Sequence, residues 1–197
     1  MTASPSSAKF VVEDPCFFDF DVRPDWRSQF GNSRPIKLEI GFGMGDFLIK
    51  MATQEPHSNF VGIDFSQNGI LKLLARIENQ QMNNIRVVYG DVRGKIPLLF
   101  QDGELDTVYI NFPDPWPRKK HRKNRLLQVP FFHTVSSRLR EGGSLFLTTD
   151  HAEYYAFSVE EAGASACFDV IPGSPPPATL ETKYARKWRE QKRDIFH

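Results

Sequence analysis

The sequence predicts an α/β fold: a parallel sheet covered by helices on both faces. Three observations predict it. Short apolar stretches of strand character alternate with longer segments of helical spacing. The first regular stretch runs into a cluster of glycines, Gly41, Gly43 and Gly45. No internal repeat or shift of composition divides the chain, whose 197 residues suit one domain with a sizeable core.

The elements follow in order. Residues 1–35 are expected to form an N-terminal extension to a domain spanning 36–197. Its first nine residues, dominated by Ser, Ala, Pro and Thr, have little to bury and are expected to be disordered. Residues 10–35 are rich in Phe without a clean period, and are expected to pack irregularly on the domain. Ile36–Ile40 alternates apolar and charged residues, as a strand does. Asp46 to Thr53 reads as a helix with Phe47, Leu48 and Met51 on one face. Asn59 to Asp64 is a second strand, and Ser66 caps a helix running to about Met82. Ile85–Tyr89 and Leu105–Asn111 are the next strands. A helix is expected from about Arg125 to Arg140, broken by Gly142-Gly143, with a strand from Ser144 to Thr149 after it. His151 to Gly163 is helical, Cys167 to Ile171 is a sixth strand, and Asp194 to His197 adds a last one.

Composition narrows the function classes. A formal net charge of +1 means that any affinity for nucleic acid rests on local clusters. Two cysteines, Cys16 and Cys167, build neither a disulfide scaffold nor a zinc site, so no metal is expected and a reducing, cytoplasmic setting fits. No run approaches ~18 apolar residues, and Met1 to Ala8 hold no apolar leader core, so no membrane span is expected.

The glycine loop, Gly41-Phe42-Gly43-Met44-Gly45, lets backbone approach a ligand at the C-terminal end of a strand. A dinucleotide site wants a third glycine at position 46, which here is Asp46. A carboxylate there repels a phosphate, and Glu39 before the loop adds another negative charge. These acids suit a cofactor without phosphate and with positive charge, such as a sulfonium bearing an α-amino group. Asp64 closes the second strand, where a carboxylate accepts hydrogen bonds from ribose hydroxyls. Asp91 follows the third, where an acid contacts an adenine ring. A bare glycine turn with ordinary acids at helix starts is the competing reading. The succession of acids at strand ends favours the nucleoside cofactor.

After the fourth strand comes Asn111-Phe112-Pro113-Asp114-Pro115-Trp116-Pro117. Three prolines make a stiff, non-helical wall from which Asp114 and Trp116 project. The chain continues with Arg118, Lys119, Lys120, His121, Arg122, Lys123 and Arg125, a run that can grip phosphates or be a solvated loop.

Together these segments resemble the tRNA (guanine-N7)-methyltransferases. The resemblance rests on Leu38 to Gly45, Gly62-Ile63-Asp64, Asn111 to His121, Thr149-Asp150 and Thr182-Lys183-Tyr184, and covers about residues 36–197. The Pro-Asp-Pro-Trp-Pro block with its basic tail is the specific part. The resemblance implies a Rossmann-like S-adenosylmethionine-dependent methyltransferase fold, with a mostly parallel seven-stranded sheet. It implies methylation of N7 of a variable-loop guanine in tRNA, by a monomer or homodimer with no partner subunit indicated. Glu39, Gly41, Gly43, Gly45, Asp64, Asp91 and Asp114 match its cofactor positions, and Asp114 its catalytic acid. Arg118, Asp150 and Thr182 match substrate contacts, while Lys119, Lys120, Arg122 and Lys123 are expected at RNA phosphates. Three positions depart from the family pattern: Asp64 stands for its usual Glu, Arg118 for its frequent Lys, and Ala185 for a Glu, with Glu181 a neighbouring acid as an alternative to it. A second basic cluster, Arg186 to Arg189 with Lys192 and Arg193, either flanks the same groove or is an exposed tail. Two other functions compete: transfer to an amino group of another base or of protein, and non-catalytic RNA binding. Asp114, where amino-group enzymes carry an aromatic, weighs against the first. The intact glycine loop weighs against the second.

Overall fold

The computed structural model describes residues 10, 12–18, 22–173 and 194–197. In chain order its elements are β1 (Phe17–Phe18), α1 (Trp26–Phe30), β2 (Ile36–Ile40), α2 (Asp46–Gln54), β3 (Asn59–Asp64), α3 (Gln67–Asn79), β4 (Ile85–Tyr89), α4 (Val92–Leu99), β5 (Leu105–Asn111), a 3-10 helix (Lys119–Asn124), α5 (Val129–Arg138), β6 (Leu139–Thr148) and α6 (Ala152–Ser165). The strands form one sheet in the order β1-β4-β3-β2-β5-β6, and every pairing is parallel. Residues 1–9, for which disorder is expected, lie outside the described residues. No described helix is long and apolar enough to cross a membrane.

Side-chain alternation sorts the core onto two faces. Leu38 and Ile40 of β2, Ile63 of β3 and Val108 and Ile110 of β5 face α4, α5 and α6, where Ile96, Phe131, Val135 and Tyr154 are buried. Phe60, Val87 and Tyr109 face α2 and α3, where Phe47, Leu48, Met51, Ile70, Leu73 and Ile77 are buried. The Ser66 hydroxyl accepts the Gly69 N–H at 3.1 Å and starts α3.

The structure departs from the pattern of the sequence in five places. No helix is expected at 92–99, a segment that contains Gly94 and Pro97. Yet Asp91 caps it and Val92, Ile96 and Leu99 bury along one face, so packing overrides propensity. The expected helix from Arg125 begins only at Val129, with Pro130 in its first turn, because the chain at Arg125 is extended (ψ 137°). Gly142-Gly143 does not end a helix: β6 already starts at Leu139, and the pair sits in a bulge where its register on β5 jumps from Leu139 to Ser144. Cys167 to Ile171 is not a strand. Ala166 closes α6 in a left-handed conformation (φ 54°) and the chain continues in bends and a turn. The last residues contribute a single antiparallel bridge, Thr149 to Phe196. The sheet of the described residues therefore has six strands, not seven, and one of them is the two-residue β1.

Residues before β2 join the same core. Trp26 is 1% exposed, stacks on Phe100 at 5.4 Å between centroids, and donates its indole N–H to the Leu99 carbonyl at 3.0 Å. Phe18 and Phe30 lie beside it. Trp26→Ala removes this packing and leaves the Leu99 carbonyl without its donor. Urea unfolding is expected to register a loss of about 3–5 kcal/mol. A loss below about 1 kcal/mol would mean that this segment is not tied into the core.

Candidate active site

The strand order reverses at β2, whose partners are β3 on one side and β5 on the other. Loops leaving β2 and β5 diverge there and open a crevice at the C-terminal ends of the strands, the usual ligand position in such sheets. Along that edge lie Asp91 after β4, Asp64 ending β3, the glycine loop after β2, the proline loop after β5, and Thr149-Asp150 after β6. The expected residues from five separate segments are thus brought to one edge. Thr182, Glu181, Ala185 and the second basic cluster lie outside the described residues.

Glu39 sits at the reversal point. It is 2% exposed, beside Gly62 of β3 and Tyr109 of β5. Asn111 donates its side-chain N–H to Oε1 at 3.1 Å, and Oε2 has no partner among the described residues. Burial is the main force pushing its pKa up to about 8; the Asn111 hydrogen bond opposes the shift, and the Asp64 and Asp46 carboxylates add to it. The free chain thus keeps a proton on Glu39 near neutrality. A buried carboxyl with an unpartnered oxygen suits a cationic donor such as an ammonium group.

The glycine loop is shaped for close approach. Gly41 and Gly43 have φ of 71° and 56°, and a Cβ on either would meet nothing within 4 Å, so open space adjoins both. Gly45 differs. A Cβ there would lie 2.5 Å from Leu73 Cδ1, so this glycine lets α3 pack against the start of α2 rather than facing a ligand. Gly69, which no sequence motif marks, lets α3 reach the loop: a Cβ there would strike the Gly43 carbonyl at 2.2 Å. Asp64 accepts the Gly43 N–H at 2.7 Å and the Ser66 N–H at 2.8 Å, tying loop to helix. Each of its oxygens retains a lone pair for a further donor. Asp91 is exposed, accepts the Arg93 N–H at 2.9 Å and lies 3.9 Å from the Arg93 guanidinium. Asp46 is paired with Arg76 at 2.9 Å. Its charge is largely answered and Glu39 is protonated, so in the free chain the negative character of this part of the crevice comes from Asp64 rather than from Asp46.

In the proline loop, Phe112 and Trp116 both have positive φ, 51° and 43°, which side chains rarely adopt. The Phe112 N–H is held by the Thr148 carbonyl at 2.7 Å. Asp114 is exposed, with no hydrogen-bond partner among the described residues. Trp116 is half-buried, with its ring edge-on to His121 at 5.7 Å. Arg118, Lys119, Lys120 and Lys123 are exposed on and beside the 3-10 helix. Arg122 is held by Glu153 at 2.9 Å. Arg125, the last cation of the run, is fully buried. Asp150 is exposed beyond β6, while Thr149 is buried and locked to Phe196.

A protein family described as "Putative methyltransferase" matches residues 33–197. The chain belongs to this family. Among relatives of this methyltransferase chain, the tRNA (guanine-N(7)-)-methyltransferase of Thermus thermophilus is 42% identical over 88% of the chain and 56% of its own length. The enzymes of that name from Deinococcus radiodurans and Neisseria meningitidis serogroup B are 41% and 40% identical, over 83% and 78% of the chain and 51% and 65% of their own lengths. The chain thus spans about half to two thirds of these relatives. Two solved structures share the fold at 14% identity: an antibiotic-related methyltransferase (TM-score 0.66, covering 95% of this chain and 97% of that one) and the 16S rRNA methyltransferase KamB (0.64, 88% and 91%).

The proton on Glu39 makes a prediction about this methyltransferase chain. The ordinary pKa of its carboxyl is 4.5, and the fold raises it to about 8. The folded state therefore holds a proton that the unfolded state loses. Its contribution to stability is complete below about pH 4.5 and falls as pH rises toward 8, by up to about 1.4 kcal/mol per pH unit. Glu39→Gln keeps an acceptor for Asn111 and does not titrate. Without ligand, its stability relative to the parent is expected to rise from pH 5 to pH 9. Parallel stability curves for the two proteins would rule out a buried, protonated Glu39.

Proposed function

We propose that the chain transfers a methyl group from S-adenosylmethionine to N7 of a guanine in the variable loop of tRNA. The observation that carries this reading is the position of Asp114. It is exposed on a proline-framed loop at the same sheet edge as Glu39 and the glycine loop, and the basic 3-10 helix follows directly. The relatives named tRNA (guanine-N(7)-)-methyltransferases, at 40–42% identity, support the same substrate. The free thiols Cys16 and Cys167 agree with the reducing cytoplasm, where tRNA is modified.

The residues fit S-adenosylmethionine. Glu39, buried with an unpartnered oxygen, takes the α-amino group. Gly41 and Gly43 leave room along the backbone, Asp64 accepts from the ribose hydroxyls, and Asp91 contacts the adenine. Asp114 belongs to the same cofactor set by its place at the crevice. When bound, the cofactor supplies a methyl carbon made electrophilic by a sulfonium.

Guanine N7 carries a lone pair and no proton, so the chain supplies no general base there. Its work is to hold the base in line, an effect worth up to about 7–11 kcal/mol. The guanine gains positive charge as N7 is methylated, and the Asp114 carboxylate stabilises that charge from a fixed frame. Arg118, Asp150 and Thr182 hold the nucleotide. Lys119, Lys120 and Lys123 contact RNA phosphates, with Arg122 joining them from its ion pair with Glu153.

The test is methyl transfer from labelled S-adenosylmethionine to unmodified tRNA, with the product mapped by cleavage at N7-methylguanine. One labelled guanine in the variable loop is expected. Label on an exocyclic amino group, or none alongside measurable cofactor binding, overturns the reading. Asp114→Ala is expected to lower turnover by roughly 100- to 1,000-fold while leaving cofactor binding measurable; near-normal turnover removes Asp114 from the chemistry. Replacing Lys119 or Lys123 by Gln should weaken tRNA binding. It should also flatten the plot of log affinity against log salt by roughly 0.7–0.9 for each phosphate left without its cation. An unchanged slope would identify the run as a solvated surface.

A further inference from the structure

Arg125 ends the basic run in sequence but does not share its setting. Its side chain is fully buried, whereas Arg118, Lys119, Lys120 and Lys123 are exposed. All three nitrogens of its guanidinium are engaged. Nε donates to the Pro115 carbonyl at 2.9 Å. Nη1 and Nη2 donate to the two carboxylate oxygens of Glu153 at 3.0 and 2.7 Å. The guanidinium carbon lies 5.1 Å from the Tyr154 ring centroid and 4.8 Å from that of Phe157. Arg93 of α4 holds the carbonyls of Asn124 and Arg125 at 2.9 and 3.2 Å, fixing the backbone from which Arg125 turns inward.

Glu153 lies in the first turn of α6 and receives a second arginine, Arg122, at 2.9 Å from the 3-10 helix. One carboxylate thus joins three parts of the structure: α6, the proline loop through Arg125, and the 3-10 helix through Arg122. The Pro115 carbonyl gripped by Arg125 belongs to the residue directly after Asp114. This grip also faces a backbone that resists its own shape, since Phe112 and Trp116 hold positive φ on either side. A loop with two such residues keeps its conformation only where its surroundings impose it. Proline supplies no N–H for the purpose at 113, 115 or 117, so a carbonyl is the available handle.

We infer that Arg125 and Glu153 are positioning residues that brace the proline loop from α6, setting Asp114 for methyl transfer without touching the cofactor themselves. The inference rests on the role given to Asp114 above. Lysine cannot replace arginine in this place. A single ammonium does not reach the Pro115 carbonyl and both Glu153 oxygens in the fixed directions of a guanidinium.

The test compares the full chain with Arg125→Lys and Glu153→Gln, two variants that keep a polar side chain on each side of a pair whose arginine is buried and whose glutamate is exposed. Three quantities are read: the cofactor dissociation constant, kcat and KM on tRNA, and amide hydrogen exchange in the proline loop (Phe112, Asp114, Trp116) and the glycine loop (Gly41 to Gly45). Expected are a kcat at least tenfold lower in Arg125→Lys, a cofactor constant raised no more than by Asp114→Asn alone, and faster exchange confined to the proline loop. Arg125→Lys in an Asp114→Asn background is expected to lose no further turnover, because the brace acts through Asp114. Unchanged kcat and unchanged proline-loop exchange overturn the inference. So does a parallel loss of cofactor binding with faster exchange in the glycine loop, the sign of general loosening. If the parent transfers no methyl group to tRNA, the functional reading fails, and the exchange measurement alone decides whether Arg125 braces the loop.

Discussion

The structure depends on the reversal of strand order at β2. This strand is hydrogen-bonded to β3 and β5 along its full length, so its own side chains have no exit except up or down from the sheet. The chain leaves β2 toward β3 and returns on the far side as β5, and the connecting loops part above the strand end. Glu39 is caught at that parting. It lies too deep for water, has Asn111 as a single side-chain donor, and keeps one oxygen unsatisfied. A buried polar atom of this kind is costly in the free protein and is retained where a ligand completes it.

Around that point the loops are held by two different devices. On the β3 side, the glycine loop is fastened by backbone donors to Asp64 and by the close passage of α3 at Gly69. On the β5 side the proline loop has few donors of its own, and Arg125, itself held by Glu153 of α6, grips it through the Pro115 carbonyl. The first device leaves open space beside Gly41 and Gly43; the second leaves Asp114 exposed. A crevice between a loop with backbone room and a loop with a free carboxylate suits a reaction between two bound reactants, where placement contributes most of the rate.

Much of this was legible in the residues themselves. Four of the strands, Ile36–Ile40, Asn59–Asp64, Ile85–Tyr89 and Leu105–Asn111, lie where the sequence put them: the first alternates, and the others are short apolar runs suited to a strand buried on both faces. α2, α3 and α6 lie where helices are expected, α2 and α3 from apolar residues at the 3.6-residue period and α3 also from its Ser66 cap. α4 was hidden by Pro97, and the start of β6 by a glycine pair that marks a bulge. The apolar stretch after α6 has the composition of a strand and no strand beside it in the described residues, and pairing rather than composition makes a strand.

The sequence by itself determined which chemistries stand at the strand ends: an acid before a glycine loop, acids after the next two strands, and an acid between prolines followed by cations. It did so because residue type and spacing along one chain are enough to fill those positions. Only the tertiary structure decided what each charge does. Asp46 is answered by Arg76, Arg122 by Glu153, and Arg125 disappears into the interior, although in the sequence it continues a run of exposed cations. Gly45 proves to be a packing glycine, while Gly41 and Gly43 border open space. The reason is the same in each case: a charge or a missing side chain takes its role from what the fold places against it. Those neighbours come from segments distant in the chain, which no local pattern records.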